Sequence, residues 1–540
     1  LKLGLFLHQT GYRLNKTGRL GIYLTNTLME GAPSEPELPY SDWISEETNA
    51  AARIKEENPI NVVLGNPPYS GHSATKREWI GKLLKDYYQV DGQPLGEKNP
   101  KWLQDDYVKF IRFGQWRVEK TGEGILAFIT PHGYLDNPTF RGMRQQLLRA
   151  FSEIYVLDLH GNANKKEKAP DGSEDKNIFD IKQGVAILLA IKKPNHRDPA
   201  TVYHADLWGP KEKKYEALLK SDVSQTKWKK LNPSTPSYFF IPQDTRLYAE
   251  YQKGWKITDI FPVNSVGIVT ARDRLTIHWT PEDAFMCMPR PEVMQHMLTG
   301  QNIGLISRRQ MISDLMSYFF ISKYLISDGV IRSDNKGGGS FFPLYIRDET
   351  SKRTPNFNPK FFDCYKSHLN KIGDPKNIFH YIYAIAHSPC YRQRYTNFLK
   401  QDFPRIPFTS DKKLFLALVE KGHQLAELHL MESPYLKKPT SKFPVKGDNL
   451  AGKPAYDAKT RRVYINKTQF FDSVTPETWG FMIGGYQVCQ KWLKDRHNRN
   501  ENPYLSSTEV FHYQKIVTAI DETSRIMKEI DRLIPSWPLA

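Results

Sequence analysis

Short apolar runs alternate with longer amphipathic stretches through the first 250 residues. The runs fall at 20–24, 60–65, 124–130, 154–160 and 184–192 and are rich in β-branched residues. They are apolar on both alternating faces, which predicts buried strands of a mainly parallel sheet. Between them, 105–120 and 139–151 repeat apolar residues at three- and four-residue steps, the period of an amphipathic helix. Strands that alternate with helices predict an α/β fold. A polar loop at 162–176, rich in Lys, Gly, Asp and Glu, is expected to be mobile. Residues 194–242 are mixed and read as the end of the first domain.

From about residue 251 the texture changes. Aromatic and basic residues interleave without βα repetition, as in Gly267-Ile268-Val269-Thr270-Ala271-Arg272-Asp273-Arg274 and Tyr391-Arg392-Gln393-Arg394-Tyr395. A glycine turn at 337–339 precedes Phe341-Phe342-Pro343, and a long helix is expected over 511–533. The chain has 540 residues, and single cores stop growing near ~250–300. Two domains are therefore expected, 1–250 and 251–540, the second of mixed α+β character.

Composition narrows the class. At 39% hydrophobic, 12% aromatic and 25% charged, the chain can build real cores. Lys and Arg number 76 against 59 acidic residues, a net charge of +17. That excess favours a polyanionic partner, nucleic acid first; a generally basic surface is the other reading. Cys287, Cys364, Cys390 and Cys489 lie far apart with no CxxC pair, so no metal site is expected and a reducing, cytoplasmic setting suits them. The apolar run 184–191 is too short to cross a bilayer, and no signal peptide is evident. The chain opens at Leu1 in what reads as mid-helix, which suggests a fragment of something longer.

The candidate chemistry sits at Asn66-Pro67-Pro68-Tyr69, directly after the strand at 60–65. In an open sheet, ligands lie outside the carboxyl ends of strands. The Asn66 side-chain oxygen and the Pro67 carbonyl are two acceptors suited to the two hydrogens of an exocyclic amine. Two prolines fix the backbone around that carbonyl, and Tyr69 offers a flat apolar face to a planar ring. Alone, these four residues also read as a strand followed by a proline turn. Asn26-Thr27-Leu28 and Thr130-Pro131-His132-Gly133-Tyr134 follow two other predicted strands, which makes a pocket along one sheet edge more probable than scattered polar turns. His132 is read as structural.

On these residues the chain resembles an adenine-N6 DNA methyltransferase, and most closely the C-terminal part of the type ISP restriction–modification enzymes. Further carriers are 177–187, 267–274, 388–395, 483–488 and 491–496. The resemblance implies an incomplete Rossmann-like sheet that uses S-adenosylmethionine, followed by a target-recognition domain. It implies that Asn66 and Pro67 hold the amine of a flipped adenine, with Pro68 shaping the turn. Tyr69 would stack on one side of the base and Phe179 on the other. Asn26, Asp106 and Tyr107 would fall on the cofactor side. By the residues alone, Phe179 is equally a core aromatic, Asn26 equally a turn residue and Asp106 equally a solvated helix charge.

The resemblance also implies duplex DNA as partner, with helicase and nuclease regions upstream in the same polypeptide. A glycine-rich cofactor loop and a ribose-gripping acid are expected before Leu1, and no GxxxxGK[ST] phosphate loop lies in this stretch. Cations for phosphates and base edges are sought in the second half, where Arg272, Arg274, Arg308, Arg309, Arg332, Lys336, Arg392 and Arg394 are candidates. Two other functions remain open: a DNA-binding specificity module without catalysis, or a methyltransferase for RNA bases or protein glutamine.

Overall fold

The computed structural model describes residues 8–11, 21–23, 25–29, 42–69, 78–97, 100–164, 167–267, 291–298, 300–311, 318–327, 329, 338–347, 352–369, 374–484, 486–497 and 503–539. The chain divides into two compact units, Leu1–Pro242 and Gln243–Ala540.

The first unit is built on a six-stranded sheet. Its elements in chain order are α1 (Asp42–Glu57), β1 (Val62–Gly65), α2 (Glu78–Leu84), α3 (Asp106–Thr121), β2 (Gly124–Pro131), α4 (Arg141–Ala150), β3 (Glu153–Asp158), β4 (Val185–Lys192), β5 (Thr201–Asp206), α5 (Lys211–Lys220) and β6 (Lys229–Leu231). The sheet order is β1-β2-β4-β3-β5-β6. Only β1·β2 and β3·β5 pair in parallel, while β4 runs antiparallel to both its neighbours. The sheet is therefore mixed rather than mainly parallel. An all-apolar central strand reads the same in either direction, so composition carried no sign of the reversal. The reversal of β4 leaves the carboxyl ends of β1, β2, β3 and β5 on one edge, where β4 begins.

Residues 21–23 are not in a strand; positions 20 and 24, which the expected first strand also needs, lie outside the described residues. The strand β5 was not foreseen, because His204 and Asp206 break its apolar pattern.

Helix α3 buries Val108, Ile111 and Val118 completely. Its Gly114 lets β2 come close, since a Cβ there would sit 2.5 Å from Leu126. The helix stops at Gly122, whose φ of 93° is left-handed. The loop at 162–176 is tied down at its described positions rather than mobile. Glu167 accepts from the backbone of Asn162 at 2.8 Å, and Asp175 accepts from Gly161 at 2.6 Å and pairs at 2.7 Å with Lys214. Both side chains of that last pair are fully buried, and the Lys214 ammonium also donates to the carbonyls of Leu159 and Lys176. Two of the loop's charges, Glu167 and Asp175, hold it in place because they bond to backbone amides and a buried lysine, while Lys168, Asp171, Glu174 and Lys176 face water.

In the second unit the labelled elements are α6 (Thr245–Gln252), β7 (Ser265–Val266), β8 (Gly304–Ser307), β9 (Phe320–Ser322), β10 (Ser340–Pro343), α7 (Pro359–Leu369), α8 (Pro375–His387), α9 (Lys412–His429), α10 (Val488–His497) and α11 (Ser507–Leu533). The strands form a sheet of order β7-β10-β8-β9. Helix α8 is the core element; from Tyr381 to His387 every residue is buried. It crosses α9 at Gly422, where a Cβ would stand 1.8 Å from the His380 carbonyl. Helix α11 starts four residues before the expected 511, because Ser506 and Glu509 form a capping box. Among the described residues no helix is long and apolar enough to cross a membrane.

Candidate active site

The register of β1 on β2 pairs Gly65 with Phe128, so Asn66 emerges beside Ile129. Asn66 and Pro68 are exposed, Pro67 is buried and Tyr69 is half-buried. The Tyr69 hydroxyl lies 2.6 Å from the Asn66 side-chain oxygen and 3.0 Å from the Ile129 carbonyl. One hydroxyl hydrogen serves one of these acceptors at a time. The Asn66 oxygen thus meets a donor of its own chain, but it carries two lone pairs and can accept a second. Burial pushes the Tyr69 phenol up to about 12, so the ring stays neutral near pH 7.

Phe179 is held in place by the side chain of Asn177. Its backbone donates to the Asn177 side chain at 2.8 Å, and the Asn177 amide donates in turn to the carbonyls of Gly161 and Gln183. Tyr69 and Phe179, distant in sequence, both pack on one apolar cluster of Leu159, Ile178 and Val185. The fold therefore sets two half-buried aromatics around a common floor, beside the exposed amide of Asn66.

The three cofactor-side candidates separate. Asp106 keeps one side-chain oxygen buried without a hydrogen-bond partner, 3.8 Å from the Lys109 ammonium. An acceptor of that kind fits a ligand hydroxyl or ammonium. Tyr107 is core, 3% exposed and packed near the rings of Tyr134 and Phe140. Asn26 is exposed and folds back on its own chain, its side chain accepting from Leu28 at 3.0 Å. Of the three, Asp106 is the one with a buried side-chain oxygen that has no hydrogen-bond partner.

Of the eight cations sought in the second half, Arg272, Arg274, Arg332 and Lys336 lie outside the described residues. Arg308 and Arg392 are buried, at 5% and 6% exposure. Arg309 pairs with Asp402 at 2.9 Å, and Arg394 grips Glu250 bidentately at 2.7 and 2.8 Å. Arg308 and Arg392 are thus withdrawn from solvent, while Arg309 and Arg394 are engaged by carboxylates of the second unit, Arg394 in a fork. Sequence reasoning passed over a different set. Lys437, Lys438, Lys442, Lys446, Lys453, Lys459, Arg461 and Lys467 are all exposed. Their clustering within 437–467 was the available signal.

An ionic network, buried at its histidines and Asp158 and open at Asp206, lies along the same sheet edge. His132, just past β2, sits 3.0 Å from Asp158 at the end of β3. His160 meets Asp206 of β5 at 2.9 Å and stacks on Trp208 at 3.3 Å. Burial disfavours the charge on Asp158, but His132 and His160 outweigh it and hold the carboxyl down at about 2. Burial likewise opposes the cationic form of His160, yet Asp206, Glu167 and Asp158 raise it to about 9. Spacing in the sequence gave no sign of this assembly, which joins three strand ends and a loop.

Residues 2–164 match the family model described as Eco57I restriction-modification methylase, and residues 280–529 match the Type ISP C-terminal specificity domain. Among solved structures, the chain is similar to the ATP-dependent Type ISP restriction-modification enzyme LlaBIII bound to DNA. The TM-score is 0.73 at 18% identity, over 96% of this chain and 40% of that one. A nuclease-deletion mutant of the Type ISP enzyme LlaGI, in complex with a DNA substrate mimic, gives 0.68 at 18% identity over 98% and 49%. The DrdV–DNA complex gives 0.64 at 18% identity over 92% and 59%. At such identities the likeness is one of fold, and the chain spans about half the length of these proteins. No curated protein matches it significantly.

Proposed function

We propose that this chain, which joins a methylase domain to a Type ISP specificity domain, is the adenine-N6 methyltransferase and target-recognition portion of a restriction–modification enzyme acting on duplex DNA. One observation carries the reading: the exposed Asn66 amide stands at a strand end beside Tyr69, and Tyr69 and Phe179 flank the same apolar floor.

The amine to be methylated is out of reach inside a duplex, so the base must rotate out, at a cost of a few kcal/mol. Tyr69 and Phe179 offset that cost by stacking. The Asn66 oxygen and the Pro67 carbonyl accept the amine hydrogens, which turns the nitrogen lone pair out of conjugation. The buried apolar floor keeps water from the reacting nitrogen. S-adenosylmethionine supplies the methyl group, and Asp106 is the residue of this chain best suited to hold part of it. No side chain need titrate, so catalysis rests on alignment. The reading as a specificity module without catalysis, and the readings with RNA or protein glutamine as acceptor, become outcomes of the test.

The test uses the intact enzyme, labelled S-adenosylmethionine and a duplex carrying its site, with structured RNA and a glutamine peptide as alternative acceptors. Asn66→Ala should lower methyl transfer to DNA by at least ~100-fold, roughly 2.7 kcal/mol of barrier, with DNA affinity changed less than about twofold. Normal turnover by Asn66→Ala, or label entering only RNA or peptide, overturns the reading.

A further inference from the structure

His132, His160 and Glu167 come from three places: the end of β2, the end of β3 and the loop before β4. They offer ligand atoms that all lie within 4.8 Å of one another. His132 and His160 are buried, at 6% and 7% exposure. The Nδ1 of His160 is buried without a hydrogen-bond partner, 3.8 Å from a Glu167 oxygen and 3.7 Å from an Asp158 oxygen. The other Glu167 oxygen accepts from the backbone of Asn162, which fixes the carboxylate's direction.

The outer partners complete the arrangement. His160 has its Nε2 on Asp206 at 2.9 Å, and His132 has its Nδ1 on Asp158 at 3.0 Å. Each imidazole is thus held at one nitrogen by a carboxylate, the pattern that orients metal-ligating histidines and raises their basicity. On His132 the remaining nitrogen, Nε2, accepts from the Asn162 amide at 3.0 Å, so with Nδ1 on Asp158 it is the nitrogen that carries the lone pair. Trp208, stacked on His160, keeps that ring from turning.

We propose that His132, His160 and Glu167 bind a divalent cation of the zinc class, which staples the segment carrying Phe179 to the ends of β2 and β3. Two histidines and a glutamate, with a fourth position for water, are a known zinc donor set. Donors on a tetrahedral zinc lie about 3.4 Å apart, so the three must draw in by roughly an ångström, and Asn162 exchanges its contact with His132 for one to the bound water. The segment responds because Glu167 holds Asn162, the adjoining Gly161 carbonyl holds Asn177, and Asn177 holds Phe179. A bound ion would hold the aromatic wall without taking part in methyl transfer.

The test uses the full chain without a polyhistidine tag. Metal content is read by plasma mass spectrometry, and affinity by competition with a chromophoric chelator. About one zinc per chain is expected, with slowed hydrogen exchange across 160–179 on adding zinc to the chelator-treated protein. Glu167→Gln keeps the size and the hydrogen bond to Asn162 but should weaken zinc at least tenfold. Asp206→Asn, which touches only the outer partner, should weaken it roughly 10–100-fold. A folded wild-type chain that neither retains nor takes up zinc overturns the proposal and leaves a protonated His160 between carboxylates as the explanation of the cluster. Zinc affinity unchanged in both variants overturns it as well. Neither readout depends on methyl transfer.

Discussion

The Tyr69 hydroxyl has one hydrogen and two acceptors, the Asn66 oxygen and the Ile129 carbonyl. Either bond holds the ring upright on its apolar floor, and only the first touches the group proposed to grip the substrate amine. Removing the hydroxyl therefore loses a support worth about 1 kcal/mol, while removing the ring loses the stacking face. Tyr69→Phe should keep methyl transfer within about tenfold of the wild-type rate, and Tyr69→Ala should abolish it with DNA binding intact. Single-turnover rates for the two variants decide this. Equal losses would mean that the hydroxyl, not the ring, is what the site uses.

At the scale of elements, three helices of the second unit meet at a chain of neutral hydrogen bonds. The Tyr383 hydroxyl of α8 donates to Nδ1 of His429 on α9 at 2.5 Å. The His429 Nε2 then faces Thr523 of α11 at 2.9 Å, and Thr523 donates to the Ala519 carbonyl at 2.7 Å. His387 donates its Nδ1 hydrogen to the Tyr383 carbonyl. A proton on His429 would break the bond from Tyr383. Burial, its one cause, lowers His429 to about 4; burial with the neighbouring His429 and Arg392 lowers His387 well below its ordinary value.

His380, stacked on His423, is lowered to about 4 by burial, by His423 and by Lys376, with Asp374 opposing. The unfolded chain binds these protons near pH 6.5 and the folded chain does not. Stability is therefore fully present above pH 6.5 and is lost as pH falls from there toward 4, at roughly 1.4 kcal/mol per unit of depression. Thermal melts of the second unit's transition should fall by several degrees between pH 7 and pH 5. Replacing His429 with Gln, which can accept from Tyr383 and donate to Thr523, should flatten that slope. A melting temperature level across this range would refute the neutral-histidine account.

Over the whole molecule, a charge of +17 favours a polyanion, and the four described cations among those expected from sequence are engaged within the second unit. Arg308, Arg309, Arg392 and Arg394 are buried or paired within the second unit, whereas the lysines of 437–467 stand in solvent. Phosphate contacts release counterions, with a slope near −0.9 per contact in a plot of log affinity against log salt. Replacing Lys437, Lys442 and Lys446 together with Gln should weaken duplex binding similarly for all sequences and reduce the slope by roughly 2 to 3. Titrations at several salt concentrations measure it. An unchanged slope would remove this segment from the DNA surface.

The sequence by itself determined the strands β1 to β4 and the helices α3 and α4, because apolar periodicity is a property of consecutive residues. It also determined where Asn66-Pro67-Pro68-Tyr69 falls, because prolines after a β-branched run leave the backbone few alternatives. Strand direction was beyond it, since β4 is apolar from Val185 to Ile191 and pairs equally well either way. So was the identity of buried charges: Arg392 and Lys214 look in sequence like any solvated cation, and only packing decides which lose their water. The tertiary structure alone packed Phe179 and Tyr69 on one apolar cluster and assembled His132, His160 and Glu167. Such sites form where several chain segments end together, and no local pattern records which ends will meet.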